Sequence, residues 1–395
     1  MKDGLSYLKN ILILCEGLWS LGENAGVTSL GRLISALGKK DNVILLSPDK
    51  ENIICYKKIR ICHLKLDVKN RYLSYLGGVL QWIWFNIACI YYGCTIKEKP
   101  NIIYVSSSLP AISGYILSLY YKVPYIQRQY GTFLRKKLSS RLEKIKSFQE
   151  VLSYKLPATK FIITDDGTYG DEVAEYFGIS NEKVLFWRNG IDRPDFSKQN
   201  EIRNYIRKEN SLDEKDIVVL AVSRLVHWKR VDRIIEAFNR VKKDNIKLIV
   251  IGDGSERKIL ESLSKNKNVL FLGAITNDKV KEYMLACDIF VSMYDLTNIG
   301  NPLLEALSAG MAIVTLDNGD TPSMSNGKNM IMLSSKDESL IINDLSKEIC
   351  NLSINQIKRK LLGENARVYA ENNLLSWEER INKEVDIIAS IHEKI

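Results

Sequence analysis

The chain has 395 residues, of which 46% are hydrophobic and 26% are charged, so its composition is that of a globular protein with two domains. Its seven cysteines form no C-x-x-C pair and its three histidines do not cluster, which indicates reduced thiols in a cytosolic compartment and argues against a zinc site. No D-x-D triplet occurs, which argues against paired aspartates that hold a metal–nucleotide complex.

The net charge of +9 lies in the first half of the chain. Residues 1–195 carry 27 Lys/Arg and 18 Asp/Glu, whereas residues 196–395 carry 29 of each. The first half is therefore expected to face an anionic membrane surface, a phosphorylated acceptor or nucleic acid. Nucleic acid is the least expected of these, because no nucleic-acid-binding motif is recognisable. Since the N-terminus lacks a signal-peptide layout, we expect a cytoplasmic protein with a peripheral contact to the inner face of the cell membrane.

Short apolar runs alternate with helical patterns through the first half. Strands are predicted at 11–15, 42–46, 101–105, 124–127, 161–164 and 184–187, and helices at 25–38, 72–95, 109–121, 136–155 and 169–177. This alternation predicts a parallel sheet covered on both faces. The first strand–helix turn is rich in glycine, and Gly26 is the candidate there for close approach of a ligand.

Two segments of the first half allow a membrane interpretation. Residues 72–96 are free of charge, but Gly77, Gln81 and Asn86 favour a buried or membrane-grazing helix over a membrane span. Residues 135–155 are basic, with apolar positions that fit one helix face. That face could be core, or it could lie against an anionic membrane.

The alternating pattern breaks around residues 190–194, so we predict domains at 1–195 and 196–375, with a C-terminal helix at 376–395 that packs back on the first domain. In the second half, strands are predicted at 217–222, 246–251, 269–272, 288–293 and 311–316, helices at 230–242, 255–264, 277–286 and 302–309, and mostly helix over 338–393. The fold class is therefore α/β, with two doubly wound units.

Residues 297–310 (TNIGNPLLEALSAG) read as a loop followed by a helix. Asn301 is the predicted N-cap, and Gly300 before it leaves room for a ligand to approach the backbone. The free N–H groups of such a helix start attract phosphate, and Glu305 is expected in the first turn. An ordinary capped helix with no ligand is the alternative.

Residues 223–229 (SRLVHWK) follow the first strand of the second unit. Arg224 offers a planar fork to phosphate oxygens and Lys229 a mobile charge, and both could converge on a diphosphate at the carboxyl end of the strand. The alternative is two solvated surface cations. Residues 251–257 (IGDGSER) lack the third glycine of a dinucleotide fingerprint, so they are weak evidence for NAD.

Taken together, the motifs resemble those of the retaining glycosyltransferases of family 4. They are V-S-R-L at 222–225, W-K-R-V-D at 228–232, G-D-G-S-E-R at 252–257, F-L-G at 271–273 and N-P-L-L-E-A-L-S-A-G at 301–310, with N-G-I-D at 189–192. They keep the family's order and spacing over about residues 185–320, and a weaker likeness covers the first half and residues 376–380.

The resemblance implies the GT-B architecture, in which two Rossmann-like domains face each other across a cleft. The second domain would bind a nucleotide-sugar donor, without metal or other cofactor, and the first would bind the acceptor. By position, Arg224 and Lys229 would hold the donor diphosphate and Glu305 the ribose hydroxyls. The remaining donor-site candidates are Gly26, Ile275 beside the base, Thr297, Asn298, Gly300, Asn301 and Leu304.

For the acceptor, the candidates are Arg128, Tyr130 and Asp166, which come at or after strand ends of the first unit. Asp166 is equally well explained as a turn residue. One departure from the family concerns the transferred sugar: Thr297 stands where a glutamate is common, and Asn298 follows where glycine is usual. This variant resembles a subset of bacterial surface-polysaccharide enzymes, which implies a different sugar preference.

The expected function is retaining transfer of a hexose or N-acetylhexosamine from a nucleotide-diphosphate sugar, with UDP favoured over GDP, to a saccharide or lipid-linked saccharide. Departure of the nucleoside diphosphate develops negative charge, which Arg224, Lys229 and helix-start amides would stabilise. The alternatives are a nucleotide-sugar epimerase of the same fold and a nucleotide-sugar binding protein without catalysis.

Overall fold

The computed structural model describes residues 9–16, 29–48, 57–62 and 71–392. Gly26 and the rest of the predicted glycine-rich turn at 17–28 lie outside these residues. The described chain forms two separate parallel sheets, with helices packed on the faces of each.

The first sheet has seven parallel strands in the order β3-β2-β1-β4-β5-β6-β7. Its strands are β1 (Asn10–Cys15), β2 (Asn42–Ser47), β3 (Lys57–Arg60), β4 (Ile102–Ser106), β5 (Tyr125–Gln129), β6 (Lys160–Thr164) and β7 (Val184–Trp187). The central strands β1, β4 and β5 are almost continuously apolar or buried, as expected of parallel strands covered on both faces.

Six helices belong to this half of the chain. They are α1 (Ser29–Leu37), α2 (Arg71–Cys94), α3 (Ala111–Tyr121), α4 (Arg141–Lys146), α5 (Phe148–Lys155) and α6 (Gly170–Tyr176). One face of the sheet is covered by α2, α3, α5 and α6, whose buried side chains share a core cluster with β4 and β6. The other face is covered by α1 and by a helix from the end of the chain.

The second sheet has six parallel strands in the order β10-β9-β8-β11-β12-β13. Its strands are β8 (Ile217–Val222), β9 (Ile246–Ile251), β10 (Val269–Gly273), β11 (Ile289–Ser292), β12 (Ala312–Asp317) and β13 (Ile331–Ser334). The remaining helices are α7 (Gln199–Glu209), α8 (Val231–Asn239), α9 (Arg257–Leu263), α10 (Asn277–Ala286), α11 (Asn301–Ser308), α12 (Glu338–Ile354), α13 (Gln356–Asn373) and α14 (Trp377–His392).

Two doubly wound parallel sheets confirm the predicted fold class. The structure adds three elements that the sequence pattern did not predict, namely β3, β13 and α7. The strands β3 and β13 are short edge strands. The strand β3 reads KKIR and lacks the apolar run of a buried strand, whereas β13 reads IMLS and is apolar but only four residues long. The helix α7 reads QNEIRNYIRKE and buries little apolar surface, so its pattern resembles a polar linker.

The predicted helix at 136–155 is wrong in one respect, because it is broken into α4 and α5. Ser140 caps α4 by accepting a hydrogen bond from the Glu143 N–H at 3.3 Å. Ser147 leaves the helical conformation between the two helices. As a result the basic residues of this segment lie on a short helix of their own, beside the layer formed by α2, α3 and α5.

The C-terminal helix α14 packs against α1 and joins the core of the first sheet. Arg380 and Glu384 form a buried ion pair at 2.8 Å, and the Tyr104 hydroxyl donates a hydrogen bond to Glu384. The segment that leaves the first sheet, at Ile191, lies beside the segment that returns to it, at residues 375–377. The Ile191 N–H donates to the Leu375 carbonyl at 2.9 Å, and the Trp377 N–H donates to the Ile191 carbonyl at 3.0 Å. Two chain segments therefore join the sheets at one place.

Among the helices of the described residues, none has the length and apolarity that crossing a membrane requires. The same part of the chain contains no group of three or more His, Cys, Asp or Glu side chains placed to hold a metal ion.

Candidate active site

A cavity of about 310 Å³ lies at the carboxyl ends of β8, β9 and β10. Its lining consists of Val222, Ser223, Arg224, Ile251, Gly252, Asp253, Ala274, Ile275, Val280 and Pro302. Ligands of doubly wound sheets bind in this position, outside the carboxyl ends of the strands. The structure thus brings together Arg224 and Ile275, which lie far apart in the sequence, and sets them beside the start of α11.

The glycines after β9 have a packing role in this cavity. Gly252 has φ +133°, and a Cβ there would lie 1.8 Å from the Ser223 carbonyl oxygen. Gly254 packs in the same way against the Leu225 carbonyl, at 2.3 Å. Only glycine allows such an approach, so the G-x-G motif locks the loop that carries Arg224 against the loop after β9.

Lys229 is held between aromatic rings near Arg224. Its ammonium lies 3.9 Å from the Trp228 ring centroid and 3.7 Å from that of Tyr294. Burial, and then the positive charge of Arg224, lower the pKa of Lys229 to about 7. Among the described residues, neither Arg224 nor Lys229 forms an ion pair with a carboxylate. Two neighbouring cations with no counter-ion are suited to an anionic ligand.

Helix α11 begins one residue earlier than predicted. Its N-cap is Gly300, in an extended conformation and without a side-chain cap, so the assignment of Asn301 as the N-cap is wrong. The Asn301 side chain instead accepts a hydrogen bond from Asn189 Nδ2 at 2.9 Å. Pro302 has no N–H, and the Leu303 N–H donates to the Gly300 carbonyl at 3.0 Å, so the anion-binding capacity of this helix start falls to the N–H groups of Gly300 and Asn301.

Glu305 lies in the second turn of α11 rather than the first. It is half-buried, and Asn277 Nδ2 donates a hydrogen bond to its carboxylate at 3.4 Å. Burial raises the pKa of Glu305 to about 7, against the smaller opposing effects of Asn277 and Lys281. The pKa values of Glu305 and Lys229 therefore both lie near 7, and perturbed pKa values of this kind cluster at functional sites.

Two predicted donor-site residues are structural. Asn298 is fully buried, and its side chain accepts from the Tyr294 N–H at 3.0 Å and donates to Asn318 at 2.9 Å. Leu304 belongs to the core of the second sheet. Their side chains are buried in the protein, and Asn298 fixes the shape of the loop before α11. A contact of either residue with the donor stays a prediction.

Thr297 lies between the two sheets. It is buried, and its hydroxyl oxygen accepts from the Ile299 N–H at 3.2 Å. Its side chain lies against Gly167, in the loop after β6 of the first sheet, where an added Cβ would be 2.2 Å from Thr297 Oγ1. Gly167, which the sequence interpretation did not single out, therefore marks where the first-sheet loop touches the opposite side of the cleft.

The acceptor candidates are placed unequally. Arg128 is almost completely buried and donates to the carbonyls of Gln129 and Ile162. Its role as an acceptor contact stays a prediction. The Tyr130 hydroxyl is engaged with Ser106 at 2.8 Å, although its ring is partly exposed. Both side chains stabilise the end of β5.

Asp166 faces the cleft from the loop after β6. It accepts from the Thr168 N–H at 3.1 Å and from the Thr168 hydroxyl at 2.5 Å, which is the turn role allowed by the sequence. Burial raises its pKa, and its charge in turn acts on Lys229. Asp166 is thus both a turn residue and the first-sheet carboxylate nearest to the cationic pair.

The structure adds site residues that sequence motifs alone did not show. Phe133 lies edge-on to Trp228, with ring centroids 6.2 Å apart, so an aromatic contact spans the cleft mouth. Asp192 pairs with Arg32 at 3.0 Å and with Lys281 at 2.8 Å, which links α1 to α10. Asp192 belongs to the N-G-I-D motif, which is the feature of the sequence that could have identified it as a site residue.

Comparisons with known proteins agree with this geometry. Residues 202–369 match the family described as Glycosyl transferases group 1. Over 189 residues the chain is 31% identical to an uncharacterized glycosyltransferase of Methanocaldococcus jannaschii, a match that covers 45% of this chain and 47% of that relative. The chain spans about half the length of the curated relatives it matches.

Solved structures share the fold of nearly the whole chain. Anabaena Alr3699/HepE in complex with UDP and glucose aligns with a TM-score of 0.72 at 16% identity, covering 96% of this chain and 99% of that one. Sucrose-phosphate synthase from Thermosynechococcus elongatus aligns with a TM-score of 0.75 at 15% identity, covering 98% and 100%. The fold is GT-B, and the second sheet domain resembles the glycosyl transferases of group 1 over residues 202–369.

Proposed function

We propose that the chain transfers a hexose or N-acetylhexosamine from a UDP-sugar to a saccharide or lipid-linked saccharide, in polysaccharide biosynthesis at the inner face of a cell membrane. The observation that carries the proposal is a cavity at the strand ends of the group 1 domain that Arg224 lines, with Lys229 near Arg224 and Glu305 on the helix whose Pro302 lines the same cavity. A UDP complex in the neighbouring Anabaena structure supports UDP as the nucleotide.

Arg224 and Lys229 would stabilise the leaving diphosphate. When the bond between the sugar C1 and the diphosphate oxygen breaks, negative charge develops on the phosphate oxygens. Burial, together with the charge of Arg224, lowers the pKa of Lys229 to about 7, so at neutral pH part of the Lys229 side chains is uncharged. A bound diphosphate supplies the missing counter-charge, so Lys229 would be fully protonated when it is needed.

Glu305 would accept hydrogen bonds from the ribose hydroxyls, and Ile275 would contact the base from the cavity wall. We propose retention through same-face substitution. The acceptor oxygen bonds to C1 on the face that the diphosphate leaves, and its proton passes to the leaving phosphate. Asp166 and Thr297 border the position of the sugar, and Thr297 would tune sugar preference with a neutral hydroxyl.

The proposal is tested by incubating the chain with a panel of UDP- and GDP-sugars, with saccharide and lipid-linked acceptors, in the presence of EDTA. We expect donor-dependent product with the anomeric configuration of the donor, at a rate that EDTA does not change. Loss of turnover with EDTA and recovery on adding a divalent cation would contradict the metal-independent mechanism.

Two other functions make different predictions. An epimerase would convert UDP-N-acetylglucosamine without an acceptor, which NMR of the nucleotide sugar detects directly. A binding protein would be stabilised against heat by UDP but would give no product with any acceptor. Thr297 stands where the family commonly has a glutamate, and its side chain contacts Gly167. This observation favours considering a binding protein as an alternative.

We predict that UDP affinity passes through a maximum near pH 7. As pH rises through about 7, Lys229 loses its proton and binds the diphosphate less well; as pH falls through about 7, Glu305 gains a proton and accepts less well from the ribose. Calorimetric titration with UDP over about pH 6–9 should show each limb falling several-fold, since one pKa unit corresponds to about 1.4 kcal/mol.

Matched variants separate the two limbs. Lys229→Met should flatten the alkaline limb and lower affinity throughout, whereas Glu305→Gln should flatten the acid limb. Glu305→Gln should also remove the contribution of Glu305 to the fall in folding stability between about pH 4.5 and 7, because over that range the carboxyl group is ionised in the unfolded chain but protonated in the folded one. An unchanged pH profile in both variants would contradict the assignment.

A further inference from the structure

An apolar stripe runs along the outer side of α2. It consists of Leu76, Leu80, Ile83, Trp84, Ile87 and Tyr91, each between 41% and 65% exposed. The spacing of three and four residues places these side chains on one face of the helix. The opposite face is core, because Phe85 and Cys89 are fully buried. Trp84 donates a hydrogen bond from Nε1 to the Cys62 carbonyl at 2.9 Å, but the side chains of the stripe stay exposed. Contiguous apolar surface of this kind marks an interaction site.

Helix α3 extends the apolar surface sideways. It packs directly against α2, since a Cβ on Gly93 would lie 2.5 Å from Leu117 and the Tyr121 hydroxyl donates to the Gly93 carbonyl at 2.7 Å. On its own outer side it exposes Ile116, Leu119 and Tyr120. The two helices lie in the same layer over the first sheet, so both exposed faces point away from the core.

A basic segment adjoins this layer. Residues 135–146 carry six Lys/Arg and one Glu, and Lys136, Arg141 and Lys146 are exposed. The segment leads into α5, whose Phe148 ring meets Trp82 of α2 edge-on at 4.9 Å. Leu142 and Ile145 are exposed among these cations on α4. Apolar side chains beside mobile cations are the composition of surfaces that insert shallowly into anionic lipid.

The basic segment also begins at the cleft. Phe133, two residues before it, contacts Trp228 across the cleft mouth at 6.2 Å. A surface that held this segment against a membrane would therefore place the mouth of the candidate active site close to the lipid headgroups.

We propose that the outer faces of α2 and α3, together with the basic segment at 135–146, form a docking surface for an anionic lipid bilayer. This surface would bring the proposed enzyme to a membrane-bound acceptor. Only that role rests on the proposed function; membrane binding itself does not. A second copy of the chain is the less suitable occupant, because a symmetric pairing would bring two basic segments together. Spanning is not available to α2, whose length and apolarity do not suffice for it.

Vesicle co-sedimentation of the full chain tests the surface without any transferase assay. With vesicles of phosphatidylglycerol and phosphatidylcholine in equal parts, we expect binding that weakens as salt rises from about 0.1 M to about 1 M, where the screening length falls from about 10 Å to about 3 Å. Vesicles of phosphatidylcholine alone should bind less protein by a factor of about ten or more, because they carry no net headgroup charge.

Substitutions distinguish vesicle binding through the stripe from non-specific binding through any exposed apolar surface. Leu80→Gln, Ile87→Gln and Tyr91→Gln combined should weaken binding roughly tenfold or more, since three apolar side chains no longer leave water. A matched control combines Ile354→Gln, Ile357→Gln and Leu361→Gln, which are 56% to 81% exposed on the second domain, and should bind as the parent does. Lys136→Ala, Arg141→Ala and Lys146→Ala combined should remove the salt dependence.

Three outcomes would overturn the docking surface. One is equal loss of binding in the stripe variant and in the control. Another is binding that is the same with neutral and anionic vesicles. The third is a concentration-dependent dimer in sedimentation velocity that the stripe variant abolishes, which would assign the surface to a second copy. If vesicles bind as expected but no UDP-sugar is turned over, the docking surface stands and the proposed transferase function fails.

Discussion

Replacing Arg224 and Lys229 together by alanine is expected to lower kcat/KM for sugar transfer by about a thousandfold or more, since removal of a single preorganised group that stabilises developing charge costs about 10²–10³. Arg224 lines the cavity and Lys229 lies near it, and neither has a carboxylate ion-pair partner among the described residues, so neither holds the fold together through an ion pair. The melting temperature should therefore stay within a few degrees of the parent while turnover is lost. Initial-rate kinetics and a thermal melt are the measurements.

A charge-matched control removes two exposed cations on another part of the second domain, Lys258→Ala with Lys265→Ala. It has the same net charge as the double variant and should retain parental kinetics. The single variants should not be additive, because the two cations act on one leaving group. Turnover within about tenfold of the parent in Arg224→Ala with Lys229→Ala would mean that the diphosphate binds elsewhere.

The second large effect is expected from a residue with no reactive group. Gly167→Ala should reduce kcat about a hundredfold, because a methyl group 2.2 Å from Thr297 Oγ1 prevents the first-sheet loop from meeting the second domain, and misplacement of about 1 Å costs about that much. UDP affinity should change little, because the cavity belongs to the second domain alone. Calorimetric binding of UDP together with steady-state kinetics separates the two effects.

Gly167 also has φ +75°, so alanine there carries backbone strain as well as the clash. Gly178→Ala is the matched control, since Gly178 has φ +71° and open space around its Cβ position. In a Thr297→Gly background the clash partner is gone, and Gly167→Ala should cost less than about tenfold. If Gly178→Ala impairs turnover as strongly as Gly167→Ala, strain rather than cleft closure is responsible.

The apolar alternation of the sequence was sufficient for the two sheets, because buried parallel strands and amphipathic helices carry strong periodic signals. The edge strand β3 was missed because an edge strand pairs on one side only and needs no apolar run. The edge strand β13 was missed although it is apolar, because its run is only four residues long. The break between α4 and α5 was missed for another reason. It depends on Ser147 leaving the helical conformation, and serine occurs both in helices and at their ends.

The position of a site residue in the fold depends on more than its motif. Arg224 and Ile275 line the cavity and Lys229 lies near Arg224, as their positions at strand ends implied. Asn298 and Leu304 belong to the same motif as Glu305, but their side chains are buried. A motif fixes the order of residues along the chain, whereas the loop before α11 and the helical rotation of α11 decide which side chains point to the cleft.

The sequence by itself determined the two doubly wound domains, the cationic pair and the carboxylate on α11, because these follow from local periodicity, strand ends and helix starts. Only the tertiary structure decided what those groups experience. The near-neutral pKa values of Lys229 and Glu305 come from burial by residues distant in sequence, and the contact of Gly167 with Thr297 joins loops 130 residues apart in the numbering. Burial and contact between domains are sums over the folded chain, so no single motif encodes them.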